Sequence, residues 1–149
     1  MAKILIVDDE LEVRTALKRR LIREGYAVEV ADSAESSVKL LESEEAAFDV
    51  VITDMSMEEP DSGLRVLKAA IGHDIFCEVV VLTAYGNVTN AVQSMQLGAF
   101  DYVEKNIPGV DTYDLIVMKV EKALERRRSS INIVRRLEDI RPSKLKSGA

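Results

Sequence analysis

Short apolar segments alternate with amphipathic segments along most of the chain. Five of these apolar runs recur at fairly even intervals and are rich in valine and isoleucine. Their near-continuous apolar character is typical of strands buried on both faces of a parallel sheet. The predicted strands are Lys3–Val7, Ala27–Ala31, Phe48–Thr53, Glu78–Thr83 and Phe100–Val103.

Helical patterns fill the intervals between the strands. The predicted helices are Glu10–Glu24, Asp32 to about Glu45, Leu64–Ile71, Val88–Leu97 and a fifth from Asp111 to about Ile140. Gly25 suits the left-handed position after the first helix, and Asp32 with Glu35 has the form of a capping box. The apolar residues on one side of the first helix are Leu11, Leu17, Leu21 and Ile22.

Strict alternation of strands and helices predicts an α/β fold with helices on both faces, because crossovers between parallel strands are right-handed. We expect a flavodoxin-like, doubly wound sheet of five parallel strands in the order 2-1-3-4-5. Such sheets bind ligands at the carboxyl ends of the strands, at the switch point between the first and third strands.

Three acids follow the two strands at that switch point. Asp8 and Asp9 follow the first strand, and Asp54 follows the third. Neighbouring carboxylates repel and raise one another's pKa unless a cation lies among them, and Mg²⁺ prefers such oxygen ligands. Each acid taken singly is better explained as a solvated loop residue or a helix cap, but the three together favour a metal site.

A hydroxyl and an ammonium group follow two further strands. Thr83 ends the fourth strand and Lys105 follows the fifth, so both are predicted at the same edge as the acids. Acids for a metal, with a hydroxyl and a cation for phosphate oxygens, are the groups that phosphoryl transfer requires. Singly, Thr83 would be an ordinary strand-end residue and Lys105 a surface lysine.

Composition excludes several other classes of site. One cysteine, Cys77, and one histidine, His73, cannot form an intrachain disulfide or a Cys/His zinc site. No segment has the length of a membrane span or the pattern of a signal peptide, so we expect a cytoplasmic protein. Residues 1–118 hold 22 acids and 10 bases, whereas residues 119–149 hold 4 acids and 10 bases. The basic segment has no aromatic interleaving, so direct nucleic-acid binding is not expected.

These residues together resemble the response-regulator receiver domain of bacterial two-component signalling. The resemblance rests on Asp8-Asp9, Asp54, Thr83-Ala84 and Tyr102-x-x-Lys105, and it covers roughly residues 3–125. The run LTAYGNVTNAVQSMQLGAFDYVEK is similar to receivers of the nitrogen-regulation type, which precede the ATPase of enhancer-binding transcription activators.

The resemblance implies that Asp54 is the phosphoacceptor, taking a phosphoryl group from a phosphohistidine of a sensor histidine kinase. Mg²⁺ would be held by Asp9, Asp54 and the backbone carbonyl of Ser56, with Asp8 contributing through water. Lys105 would pair with the phosphoryl group or, before it arrives, with Asp54. The domain would catalyse its own phosphorylation and dephosphorylation rather than turn over an external substrate.

The resemblance also implies a switch. Thr83, with the Ala84 amide, would turn toward the phosphoryl oxygens, and Tyr102 would move inward behind it. The changed surface would comprise the fourth helix, fifth strand and fifth helix, and its output is expected to be transcription, through an ATPase or DNA-binding domain of a longer protein.

Two positions depart from the usual receiver pattern. The loop after Asp54 is one residue longer, with Glu58 in place of proline and Gly63 displaced by one position. Glu58 and Glu59 are expected either to add negative charge beside the acidic site or to point to solvent. At Lys105-Asn106, where the family has Lys-Pro with a cis peptide, we expect a trans peptide and a rearranged loop, because a cis bond without proline costs about 2.5–4 kcal/mol.

The fifth helix is predicted to extend beyond the domain, which gives a receiver domain at 1–126 and a helical extension with a basic tail at 127–149. Near-heptad spacing predicts a short dimerising coiled coil. One apolar line comprises Val117, Val120, Leu124, Ile131 and Val134, interrupted by Arg127; a second comprises Ile133, Leu137 and Ile140. The alternative is a linker helix that packs on a following domain.

Three other functions compete with the phosphoacceptor hypothesis. A Mg²⁺-dependent phosphatase of the haloacid-dehalogenase type needs an acid two residues after the nucleophile, where this chain has Ser56. A flavodoxin-like nucleotide binder needs a first loop rich in amide donors, whereas Asp8, Asp9 and Glu10 repel phosphate. A stand-alone protein-binding signalling module is the third.

Overall fold

Strands and helices alternate along residues 1–140, the part of the chain that this computed structural model describes. The strands are β1 (Lys3–Val7), β2 (Ala27–Ala31), β3 (Val50–Asp54), β4 (Glu78–Ala84) and β5 (Asp101–Lys105). The helices are α1 (Leu11–Arg23), α2 (Ala34–Glu42), α3 (Ser62–His73), α4 (Val88–Gln96) and α5 (Thr112–Asp139). All strands are parallel, in the order β2-β1-β3-β4-β5, which confirms the predicted fold.

The core has two layers because successive strand residues face opposite sides of the sheet. On one side, Leu5 and Val7 of β1 pack in a cluster with residues of α2 and α3. On the other side, Ile4 and Ile6 of the same strand pack with residues of α1 and α5. The central strands are therefore buried on both faces, as their sequence predicts.

The edges of the fold differ from the sequence prediction. In α1 only Leu17 and Leu21 are buried, whereas Leu11 and Ile22 are exposed, because the i, i+4 pair alone faces the sheet. Within residues 1–140, strand β2 pairs only with β1, and as an edge strand it leaves Val30 partly exposed, so its predicted burial on both faces is wrong. Gly25 adopts the left-handed conformation, with φ of 98°.

Helix α5 has 28 residues and continues past the end of the sheet. Val117, Val120 and Leu124 are buried against the sheet, so this part of the first predicted coiled-coil line belongs to the domain core. Ile133 and Leu137, from the second line, are 57% and 58% exposed. The predicted long helix is confirmed, and the basic tail after Ile140 lies outside the described residues.

Arginines anchor α5 where it leaves the domain, at the amino ends of the strands. Arg127 Nε lies 3.0 Å from Asp49 Oδ1, and Arg127 Nη1 lies 3.0 Å from Asp74 Oδ2. Arg126 Nε lies 2.6 Å from an oxygen of the buried Glu78. The helix is thus tied to the loop before β3, to the residue after α3 and to the start of β4.

None of the helices within residues 1–140 is both long enough and apolar enough to cross a membrane.

Candidate functional site

Three predicted site residues meet at the carboxyl ends of the strands. Asp8 follows β1 and Asp54 ends β3, and these two strands are paired side by side. Lys105, the last residue of β5, places Nζ 3.0 Å from Asp8 Oδ2 and 3.2 Å from Asp54 Oδ1. Asp8 is fully buried and Asp54 is 7% exposed, so the ammonium group bridges two carboxylates that are largely removed from water.

Asp8 is held from several directions. Its Oδ1 accepts a hydrogen bond from the Glu10 amide at 2.9 Å, and its backbone carbonyl accepts one from Arg14 Nη1 at 2.8 Å. Its own amide donates to the carbonyl of Ala31 at 3.2 Å. These contacts fix one carboxylate oxygen on the start of α1 and leave the other directed at Lys105.

Burial of Asp54 disfavours its ionised form. Burial raises the pKa of Asp54 to about 6; Lys105 acts in the opposite direction, and Asp8 and Asp9 add to the increase. Burial acts to lower the pKa of Lys105, but Asp54 and Asp8 outweigh it and the pKa is raised. Lys105 therefore stays protonated, and its single positive charge does not balance the negative charge of the surrounding acids.

The donor atoms at this edge fit a hard divalent cation. Carboxylate oxygens of Asp8, Asp9 and Glu10 all lie within 4.8 Å of one another, and Asp54 faces Asp8 across Lys105. Oxygen ligands and an excess of negative charge are what Mg²⁺ requires. The sequence prediction did not include Glu10 as a ligand candidate, although its position directly after Asp9 could have suggested it.

Thr83 and Tyr102 occupy contrasting positions. Thr83 is fully buried, and its Oγ1 has no hydrogen-bond partner among residues 1–140. Ala84 pairs in register with Lys105 at the ends of β4 and β5. Tyr102 is 36% exposed, so its ring lies at the surface in this conformation. A buried hydroxyl without a partner costs free energy, so Thr83 Oγ1 is an unsatisfied donor in this conformation.

The turn after Lys105 carries asparagine where receivers usually have proline, and the lysine side chain is directed at Asp8 and Asp54. Residues 1–140 contain no cis peptide bond, as predicted for Lys105-Asn106, and Asn106 takes a left-handed conformation with φ of 60°. Asparagine tolerates that conformation better than most residues. The left-handed turn at Asn106 directly follows Lys105, whose side chain contacts both Asp8 and Asp54.

The loop between β3 and α3 packs closely under the site. A Cβ atom at Gly63 would lie 2.6 Å from the carbonyl oxygen of Asp54 and 2.8 Å from the Cα of Met55, so only glycine fits. Ser56, the predicted carbonyl ligand, lies in the exposed part of this loop. The exposed Glu58 side chain does not extend freely into solvent, because its carboxylate accepts hydrogen bonds from the first two amides of α2.

A comparison with protein families decides the class of this site. The sequence model for the family described as "response regulator receiver domain" matches residues 4–117, which is most of the chain. The chain belongs to the response-regulator receiver family. Its resemblance to receivers of two-component signalling, predicted from the motifs, is thereby confirmed.

Similar receivers occur in longer regulatory proteins. The chain is 36% identical over 117 residues to the regulatory protein AtoC of Escherichia coli, covering 78% of this chain and 24% of AtoC. It is 30% identical over 139 residues to the DNA-binding transcriptional regulator NtrC of Proteus hauseri, covering 92% of this chain and 29% of NtrC. The chain thus spans only about a quarter of the length of these two regulators.

Solved structures share the receiver fold. A receiver domain protein of Clostridium thermocellum is 30% identical, with a TM-score of 0.76, and the match covers 86% of this chain and 98% of that protein. NtrX of Brucella abortus, in complex with ADP, is 27% identical with a TM-score of 0.77, and the match covers 92% of this chain and 29% of NtrX.

Proposed function

We propose that this receiver accepts a phosphoryl group on Asp54 from a phosphohistidine of a sensor histidine kinase. The observation that carries this assignment is the Lys105 ammonium group, which lies between Asp54 and Asp8 at 3.2 and 3.0 Å. A receiver must hold a nucleophilic carboxylate, a cation for the incoming phosphoryl oxygens and further acids at one place, and this edge of the sheet supplies all three.

In the proposed reaction, an oxygen of Asp54 attacks the phosphorus atom. A P–O bond to the aspartate forms while the P–N bond to the kinase histidine breaks, and the imidazole nitrogen leaves with the bonding electron pair. Lys105 changes partner from the free carboxylate to the phosphoryl oxygens, which keeps a positive charge beside the transferred group. The ionised form of Asp54 is the nucleophile, and it predominates above pH 6 because the pKa is about 6.

Mg²⁺ is the cofactor that the acids fit. Asp9, Asp54 and the Ser56 carbonyl would hold it, with Asp8 contributing through water and the nearby Glu10 adding negative charge. When bound, a divalent cation would neutralise the charge that develops on the phosphoryl oxygens and would favour the ionised form of Asp54.

The switch begins at the unpaired hydroxyl. Thr83 donates to a phosphoryl oxygen on Asp54, assisted by the Ala84 amide, and so gains the partner that it lacks among the described residues. The space vacated by its movement admits the ring of Tyr102, which is at the surface before phosphorylation. The altered surface of α4, β5 and α5 then controls an output, which we assign to transcription because of the relatives' regulatory roles.

The receiver domain is assigned to residues 1–126, and residues 127–149 are assigned to an extension that forms a homodimer. Ile133 and Leu137 of α5, with Ile140 directly after it, follow heptad spacing and are all exposed. Light scattering of the chain tests this assignment. Leu137→Lys should give a monomer, whereas Asn132→Lys, which adds the same charge at another exposed position, should keep the wild-type mass. A monomeric wild-type chain would contradict the dimer.

The phosphoacceptor assignment is tested by incubating the chain with a small acyl phosphate and Mg²⁺, followed by intact mass measurement. One phosphoryl group should be added to the wild type and none to Asp54→Asn. Asp61→Asn serves as the matched control, because Asp61 is an exposed acid of the same loop whose side chain makes no capping hydrogen bond. An adduct that persists in Asp54→Asn would overturn the assignment.

A further inference from the structure

The loop after β3 is anchored at its apex on a helix that contains no predicted site residue. Glu58 Oε1 accepts a hydrogen bond from the Ala34 amide at 2.9 Å, and Glu58 Oε2 accepts one from the Glu35 amide at 3.0 Å. Ala34 and Glu35 are the first two residues of α2. Both oxygens of one carboxylate are therefore engaged by the amino end of a helix 24 and 23 residues away in sequence.

The contact completes the cap of α2. Ser33 Oγ accepts from the Ser36 amide at 3.0 Å, so Ser33, rather than the predicted capping box of Asp32 and Glu35, is the helix's own cap. The Ala34 and Glu35 amides need another acceptor, and Glu58 provides it. Partial burial acts to raise the pKa of Glu58, but these amide hydrogen bonds outweigh it and the pKa is lowered.

Hydrogen bonds within the loop connect Glu58 to the proposed metal ligand. The Met57 amide donates to the Glu59 carbonyl at 3.1 Å, and Ser56 Oγ donates to the Pro60 carbonyl at 2.7 Å. The Glu59 amide donates to Ser62 Oγ at 2.8 Å, at the start of α3. Because Ser56 and Glu58 belong to one braced turn, fixing the Glu58 side chain restricts the Ser56 carbonyl.

We propose that Glu58 is a positioning residue for the metal site, which it serves by clamping the β3–α3 loop to α2 and so holding the Ser56 carbonyl in place. The inference rests on the proposed function, in which that carbonyl is a ligand. A loop with one extra residue and no proline at this position has more conformations to lose when a cation binds. The clamp removes part of that freedom before binding, which raises affinity without adding a ligand.

The test compares Glu58→Ala with Glu59→Ala. Both variants remove one negative charge from the same loop, but the side chain of Glu59 is exposed and is not the one that binds α2. Calorimetric titration with Mg²⁺ alone should show about tenfold weaker binding for Glu58→Ala, which is the size of effect seen for groups that orient metal ligands. Glu59→Ala should change the affinity by less than about twofold, because solvent and salt screen an exposed charge.

A conservative variant separates positioning from helix capping. Glu58→Gln keeps one acceptor oxygen for α2, so its Mg²⁺ affinity should lie between those of the wild type and Glu58→Ala. Urea denaturation of each variant measures the stability of the fold independently. Equal losses of affinity in Glu58→Ala and Glu59→Ala would show a charge effect, and lower stability with unchanged affinity would show a cap alone; either result overturns the proposal.

The same variants distinguish this proposal from the phosphoacceptor assignment. If the wild type binds Mg²⁺ but forms no adduct that depends on Asp54, the proposed function fails while the affinity comparison still decides the role of Glu58. If the adduct forms on Asp54 and Glu58→Ala binds Mg²⁺ as tightly as the wild type, only the positioning role fails.

Discussion

Acidic side chains pair with lysine or arginine at both ends of the sheet, the carboxyl ends and the amino ends of the strands. The two ends differ in how far the positive charges balance the negative ones. At the carboxyl end, Lys105 is the single cationic side chain within residues 1–140 that pairs with Asp8 and Asp54, and Asp9 and Glu10 add further negative charge nearby. At the amino end, two adjacent arginines pair with three acids, and Arg127 uses separate nitrogens for two of them. One end is left with an excess of acid, and the other is nearly neutralised.

The choice of cation explains what each end can do. A lysine ammonium is a compact charge on a flexible stem, so in the proposed reaction we expect Lys105 to change partner from Asp54 to the phosphoryl group. The planar guanidinium of Arg127 holds Asp49 and Asp74 in fixed directions. The comparison teaches that the acid-rich end is suited to binding and exchange, whereas the arginine-paired end serves as a joint between the domain and α5.

Helix α3 runs between the two ends and gives the sharpest contrast. Gly63→Ala should destabilise the fold by about 2–3 kcal/mol, because its Cβ would meet the Asp54 carbonyl and the backbone of Met55. Gly72→Ala, near the other end of the same helix, meets nothing within 4 Å and should stabilise the fold by about 0.5–1 kcal/mol. Urea denaturation measures both. Similar effects at the two positions would contradict close packing under the site.

Burial of Asp54 at the carboxyl end, beside Asp8 and Asp9, should appear as a pH-dependent stability. The pKa of Asp54 is about 6 in the folded protein against 3.8 unfolded, so the folded state holds its proton more tightly. The stability from Asp54 is thus fully present below pH 3.8 and is lost as pH rises through about 6. Without Mg²⁺, Asp54→Asn should be more stable than the wild type by about 1–2 kcal/mol at pH 8, after allowance for solvent screening.

Thermal denaturation of both proteins in a chelator, from pH 4 to pH 8, measures this difference. It should shrink towards zero at pH 4, because a protonated aspartate and an asparagine carry the same charge. Asp61→Asn is again the control and should show no such trend. A constant difference across the range would mean that the charges around Asp54 are already balanced.

At the amino end, loss of one arginine should have a smaller effect. Arg127→Ala should lower the stability by about 1 kcal/mol, because Asp49 and Asp74 lose a shared partner but remain partly solvated. Arg128→Ala, at an exposed position of the same helical turn, should change it by less than about 0.5 kcal/mol. Equal effects would show that the pairing with Asp49 and Asp74 contributes nothing.

Cys77 offers a second measurement of the same joint. It is 4% exposed, and burial, with the nearby Asp74 charge, raises the pKa of its thiol to about 12. Alkylation of the folded wild type should be very slow, since the thiolate is the reactive form. The Cys77 thiol should be alkylated faster in Arg127→Ala than in the wild type, because loss of the pairing with Asp49 and Asp74 loosens the contact between α5 and the domain. In Arg128→Ala the alkylation rate of Cys77 should equal that of the wild type.

The sequence predicted the sheet order and the meeting of Asp8, Asp54 and Lys105, because parallel strands of strong apolar character bring their carboxyl ends to one edge. It could not predict the contact of Glu58 with α2, since that contact joins a loop to a helix remote in sequence and has no periodic pattern. Val117, Val120 and Leu124 were misread in part, because a line of apolar residues on a helix looks the same whether it packs on the domain's own sheet or on a partner.

Because α5 continues without a break past Arg127, a small tilt of the helix displaces its far end by a larger distance. From Arg127 to Asp139 the helix rises by about 18 Å, at 1.5 Å per residue. A tilt of about 10° at the arginine joint would carry the far end through about 3 Å. A pair of probes on the last turn of α5 would therefore report a rearrangement near β5 with greater amplitude than any probe placed on the domain.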